Sequence, residues 1–202
     1  MRNYQNLDSY LTQLSKDIYP QPEDDGHSGL ARKVIDKWMS RLPDCKTVLD
    51  VGCGNGFAQG MFEKWGADYQ GVAFGDDYIA GHDLGRKVDL ADYSFLPYGD
   101  DIFDLVFSRH SLEHSPMPLL TLMEWHRVSK QWLGLVVPSV EWYGFKGRNH
   151  YYVLYHDQWI NLMQCSGWKM IWSEFDEVPP NDRIPDQKKI HEYWFFCEKV
   201  RK

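Results

Sequence analysis

The chain has 202 residues and carries 22 Lys and Arg against 29 Asp and Glu, a formal charge of −7 at pH 7. Affinity for a phosphate backbone comes from Lys and Arg, so this balance argues against nucleic acid as the partner. With 43% apolar and 15% aromatic residues there is ample material for a core, and a single domain over 1–202 is the expectation at this length.

The first six residues hold no apolar run, so no secretory signal is expected. No stretch approaches the roughly 20 apolar residues of a membrane span. Cys45, Cys53, Cys165 and Cys197 lack any C-x-x-C spacing, which predicts reduced thiols in a cytoplasmic protein rather than a disulfide framework or zinc ribbon.

Tyr4, Leu7, Tyr10, Leu11, Leu14 and Ile18 recur at helical spacing, predicting an amphipathic helix over 1–19. A polar loop over 20–29 breaks it. Ser28 is then placed to cap a second helix, which turns Leu30, Val34, Ile35, Trp38 and Met39 inward and ends before Pro43. These first 43 residues form a helical cap on a core spanning 44–202.

From residue 46 short apolar runs alternate with helical patterns, the signature of parallel strands joined by crossover helices. Strands are predicted at 47–51, 69–73, around Val88, and at 103–107, 133–137, 168–175 and 193–200. Helices follow at Phe57 to Trp65, 119–128 and 156–166.

The strongest motif is Val48-Leu49-Asp50-Val51-Gly52-Cys53-Gly54-Asn55-Gly56. An apolar strand enters a glycine turn that opens a helix, the layout of a nucleotide-cofactor loop. The glycines let the backbone turn sharply and approach a ligand with no Cβ in the way. Phe57 stands where a dinucleotide fingerprint places its third Gly, so a ligand without phosphate fits better.

At this motif the chain resembles the class I S-adenosylmethionine-dependent methyltransferases, in particular the small-molecule branch labelled type 11. The stretch Ala91-Asp92-Tyr93-Ser94-Phe95-Leu96-Pro97-Tyr98 followed by 101–106, and then Ser108-Arg109-His110-Ser111-Leu112-Glu113-His114, supports the likeness in order along 46–172. The resemblance implies a Rossmann-like, seven-stranded, mostly parallel sheet with the last strand antiparallel, flanked by helices. It further implies that Asp50, Gly52, Cys53, Gly54, Asn55, Gly56 and Phe57 surround the methionine end of S-adenosylmethionine. Asp92 would bind the adenine amino group, with Tyr93 packed on the ring, and Ser108 would face the cofactor. The family's second strand usually ends in an acid for the ribose, whereas this chain has Ala73; Asp76 or Asp77 would have to reach back.

Methyl transfer asks mainly for alignment, and sometimes for a base. His110 and His150 are the candidates for that base. His114, Trp142, Tyr143, Lys146, Arg148 and Tyr151 are the candidate acceptor wall, suited to a flat or anionic small molecule. No N-P-P-Y tetrapeptide, Pro-Cys nucleophile or acid cluster follows the fourth strand, so base-amino, cytosine-ring and metal-dependent catechol chemistry are not expected.

His110-Ser111-Leu112-Glu113-His114 also fits H-x-x-E-H, an inverted zinc-protease signature. That chemistry needs a helix through the motif, and Pro116 and Pro118 forbid one. No metal is therefore expected, and a zinc hydrolase is the remote alternative. The nearer alternative is a methyltransferase-fold binding or partner protein without activity, to which Ala73 points.

Overall fold

The computed structural model describes residues 29–73, 75–140, 150–178 and 190–201, together with Ser9. The first predicted helix, Ser28, and the candidates Trp142, Tyr143, Lys146 and Arg148 lie outside the described residues, as does the side chain of Asp76.

One sheet contains β1 (Thr47–Val51), β2 (Asp68–Ala73), β3 (Val88–Leu90), β4 (Phe103–Arg109), β5 (Ser129–Pro138), β6 (Trp168–Val178) and β7 (Ile190–Lys199), in the order β3-β2-β1-β4-β5-β7-β6. The pairs from β3 through β5 are parallel. Only β7 opposes them, lying antiparallel between β5 and β6. Strand order reverses at β1 and β4, which opens the crevice where doubly wound sheets bind ligands.

The helices are α1 (Ala31–Met39), α2 (Gln59–Glu63), α3 (Gly75–Asp83), α4 (Pro118–Val128) and α5 (His156–Cys165), with a 3-10 turn at Leu112–His114. Alternating strand residues feed two cores. Leu49, Val51, Val106, Leu135 and Phe195 pack with Leu122 and Trp125 of α4 and Trp159 of α5. On the other face Val48, Leu105, Phe107, Val136 and Trp194 meet Val34, Ile35 and Trp38 of α1 and Phe62 of α2. Both faces are covered, as strands this apolar require.

Helix α1 buries Val34, Ile35, Trp38 and Met39 of its predicted inner face, with Leu30 half-buried just before it, and lies flat on the sheet because Gly134 leaves room. A Cβ there would stand 2.4 Å from the Trp38 ring. Lys33 and Lys37 clip α1 to Asp176 and Glu174 of β6.

The sequence pattern gives no hint of α3, which contains two glycines and no apolar stripe. It forms because Gly81 allows a close approach: a Cβ would sit 2.8 Å from Val88 and 3.0 Å from the Asn55 carbonyl. The strands β5, β6 and β7 run beyond their predicted ends, continued by backbone pairing across residues with less regular patterning.

Candidate active site

The glycine turn leaves β1 at the crevice. Gly52, Gly54 and Gly56 have φ of 72°, 57° and 76°, a region other residues enter at a cost. The Val72 carbonyl at the end of β2 accepts the N–H groups of Gly52 (2.9 Å) and Cys53 (3.1 Å). Arg86 holds the far side, donating to the Asn55 carbonyl (3.0 Å) and side-chain oxygen (2.6 Å), with its guanidinium 5.7 Å from the Phe57 ring.

The three glycines differ in what they face. A Cβ on Gly52 would lie 2.0 Å from Ser111 Oγ and one on Gly56 2.8 Å from Val88, whereas no described residue lies within 4 Å of one on Gly54. Gly54 is thus the point where the loop borders open space.

Asp50 is buried beneath the turn, and its Oδ2 accepts the Tyr69 hydroxyl at 2.9 Å. Burial pushes its carboxyl up to about 7, against the lowering effect of that hydrogen bond. The Cys53 thiol is pushed upward by burial, then by the charge of Asp50 and, further off, of Asp77. Cys53 is therefore an unreactive thiol at neutral pH. Ala73 is buried at the end of β2, and Asp77 is exposed on α3. Its charge is nevertheless felt at the glycine turn.

Beyond β3, Asp92 Oδ1 accepts the Ser94 N–H at 2.8 Å, a turn that fixes the carboxylate's orientation. Tyr93 is partly buried against the core, and its carbonyl accepts the Trp125 indole N–H at 3.0 Å. Ser108 is fully buried and donates to the Val51 carbonyl at 2.9 Å. Its hydroxyl ties β4 to β1 under the loop rather than facing the crevice.

The acceptor side follows β4. His110 has φ 52°, so the motif 110–114 is not a helix. Only Leu112–His114 form a 3-10 turn before extended Ser115, and the zinc-protease geometry is absent. His110 Nε2 instead lies 3.0 Å from Glu192 Oε1. Arg109 makes an ion pair with the same oxygen, and the Trp194 indole donates to Glu192 Oε2 at 3.1 Å.

Burial alone would raise Glu192, but Arg109, His110 and Trp194 hold it well below the usual carboxylate range. Burial, and then the Arg109 charge, lower the His110 imidazole. Sequence reasoning named neither Arg109 nor Glu192 as a site residue. The available signal was a Glu at the head of the aromatic run Tyr193-Trp194-Phe195-Phe196, since a charge buried there needs a partner.

Glu113 is fully buried, and burial pushes its carboxyl up to about 8. Neither oxygen has a hydrogen-bond donor among the described residues. Its carbonyl accepts the Tyr151 and Tyr152 N–H groups at 2.9 and 3.1 Å, which brings His150 to the site. The His114 and His150 rings meet edge-on at 4.6 Å. His110, His114, His150 and the Tyr151 backbone therefore gather at one place, and the Tyr151 side chain is exposed beside them. A separate cleft of about 430 Å³, lined by Lys130, Gln131, Lys169, Glu198 and Lys199, opens at the other end of the sheet.

Residues 49–132 match the family model described as a methyltransferase domain. The match spans less than half of the chain. It contains the glycine turn, Asp92 and the 108–114 segment. An uncharacterized methyltransferase of Mycobacterium tuberculosis is 34% identical over 117 residues, 54% of this chain and 46% of that protein. A ubiquinone biosynthesis O-methyltransferase of Pseudomonas paraeruginosa is 33% identical over 93 residues, 42% of this chain and 40% of that protein. The matches thus span less than half of each relative's own length. A crystal structure of an S-adenosylmethionine-dependent methyltransferase from Archaeoglobus fulgidus overlays with TM-score 0.65 at 16% identity. It covers 94% of this chain and all of that one. At such identity the likeness establishes the fold.

Proposed function

We propose that this chain transfers a methyl group from S-adenosylmethionine to an oxygen, nitrogen or carbon of a small-molecule acceptor. The observation that carries this reading is the open space at Gly54. It adjoins a turn at the topological switch point, with the Ser111 segment packed against Gly52 on the acceptor side. The cofactor supplies a sulfonium methyl, already strongly electrophilic. The turn from Gly52 to Gly56, with Asp50 below it, holds the methionine end; Asp92 and Tyr93 hold the adenine; Asp76 or Asp77 takes the ribose.

On the acceptor side the chain aligns the nucleophile and, for a hydroxyl or ammonium, removes its proton. His110 suits that task because burial and Arg109 keep it unprotonated near neutral pH, and Glu192 steadies the imidazolium once formed. Trp142, Tyr143, Lys146, Arg148 and Tyr151 complete the proposed wall. The net charge of −7 supports a small acceptor over nucleic acid. Among the described residues no helix is long and apolar enough to cross a membrane, in keeping with a proposed cytoplasmic single-domain enzyme.

Calorimetry with S-adenosylhomocysteine tests the cofactor assignment. Binding is expected for the native chain and loss of binding for Gly54→Leu, whose side chain would fill the open space. Silence at millimolar ligand would sink the reading. Ala73, which offers no oxygen to a ribose, favours a second reading: a fold relative that binds a partner and turns nothing over. The same titration separates the two, since that relative would leave S-adenosylhomocysteine unbound.

A further inference from the structure

We propose that Glu113, His114 and His150 form a binding site for one divalent transition-metal ion beside the acceptor face. One oxygen of Glu113 and one ring nitrogen from each histidine all lie within 4.8 Å of one another. The glutamate is fully buried with neither oxygen hydrogen-bonded among the described residues, and His114 Nε2 is 3.7 Å from Oε1. A buried carboxyl without a hydrogen-bond donor is costly, and a cation shared with the two imidazoles would satisfy it.

The arrangement is built rather than accidental. Glu113 and His114 are consecutive on a tight turn, while His150 comes from 36 positions further on. The N–H groups of Tyr151 and Tyr152 anchor that strand of chain to the Glu113 carbonyl itself. Metal–ligand bonds of about 2.0–2.2 Å bring adjacent donors to roughly 3–3.5 Å apart, so the cluster needs to contract by about 1 Å or a little more on loading. Two imidazoles and one carboxylate suit zinc, iron, cobalt or manganese rather than calcium. Three protein donors also leave a coordination position open.

Resting on the methyltransferase reading, that open position would take an acceptor oxygen. Coordination would acidify that oxygen, so that its proton passes to His110, and hold it toward the sulfonium methyl. The new O–C bond then forms as the C–S bond breaks, with the sulfur keeping the electron pair.

The test loads the chelator-stripped chain with Co²⁺ and follows visible absorption and bound metal per chain, with S-adenosylhomocysteine affinity measured on the same samples. One equivalent of cobalt is expected. Glu113→Gln and His150→Ala should each weaken it beyond the roughly 10- to 100-fold typical of losing an outer-shell partner. The exposed His82→Ala should leave it unchanged. No cobalt binding, or binding that both variants retain, overturns the site. Because His150 is only partly buried, its variant should still fold, which an unchanged far-ultraviolet spectrum checks. Cobalt bound without S-adenosylhomocysteine would keep the metal site and fail the methyltransferase reading instead.

Discussion

The two halves of the crevice are made in different ways. Around β1 and β2 the site is largely backbone: a five-residue turn, carbonyls, and gaps left by glycine. Around β4 and β7 it is side chains, Arg109, His110, Glu113, His114, His150 and Glu192, whose charges meet only after folding. A backbone site is local in sequence and fails by steric intrusion. A side-chain site is assembled over long separations and fails by leaving a charge without its partner.

The sharpest break in that comparison is at Gly52. Gly52→Ala places a Cβ 2.0 Å from Ser111 Oγ and 2.5 Å from Ser111 Cβ. The two halves cannot then close, and the expected outcome is loss of soluble folded protein, read by expression and circular dichroism. Removing the obstacle in Gly52→Ala/Ser111→Gly should restore folding, with a residual penalty of about 1–2 kcal/mol for φ of 72°. Gly54→Leu should fold and lose only ligand. If Gly52→Ala is benign, the halves are not packed through this contact.

Next in size is the buried ion pair. Glu192→Ala removes the carboxylate that Arg109 pairs with, where the two side chains are only 2% and 6% exposed. A loss of about 3–5 kcal/mol is expected, or roughly 10 °C in Tm for a chain of this size. The double variant Arg109→Leu/Glu192→Leu should recover most of it, because the cost lies in the stranded charge. Denaturant unfolding of Arg109→Leu, Glu192→Leu and the double variant forms the cycle, and a double variant as unstable as Glu192→Leu would contradict it.

This division also governs what could be read from the residues in order. The turn from Asp50 to Gly56 and the alternation of strands and helices are local patterns, and the sheet follows them closely. Helix α3 was not legible because its cause is a neighbour, the Asn55 carbonyl and Val88 pressing on Gly81. The H-x-x-E-H spacing suggested His110 with Glu113 and His114. Folding keeps the three near one another but turns His110 to Glu192, 82 positions away, and brings His150 to Glu113. No periodicity records such pairings; only the oddity of a charge in an apolar strand hints at them.

Asp50 offers a smaller, pH-dependent effect on the backbone side. Its folded value is about 7 against a usual 3.8, so the unfolded chain ionises first. The stability associated with the neutral form is fully present below about pH 4 and is lost as pH rises to about 7. At 1.36 kcal/mol per unit this amounts to a few kcal/mol. Asp50→Asn, still able to accept from Tyr69, should be more stable than the native chain at pH 8, with that advantage gone near pH 4. Thermal melts across this range check the slope, and parallel curves would show that Asp50 does not titrate there.

The smallest expected effect decides how the cofactor half compensates for Ala73. Asp77 is exposed on α3, so any hydrogen bond it accepts from a ribose is partly screened. A weakening of about tenfold, close to 1.4 kcal/mol, is the expected result of Asp77→Asn on S-adenosylhomocysteine affinity. Asp76→Asn is the companion measurement, and the two acids share one role, so only one variant should weaken binding. Raised salt should shrink the effect if it arises at an exposed carboxylate. Unchanged affinity in both would leave the ribose without an acid from α3. Recognition there would then fall to the backbone, and the contrast between the two halves would be sharper still.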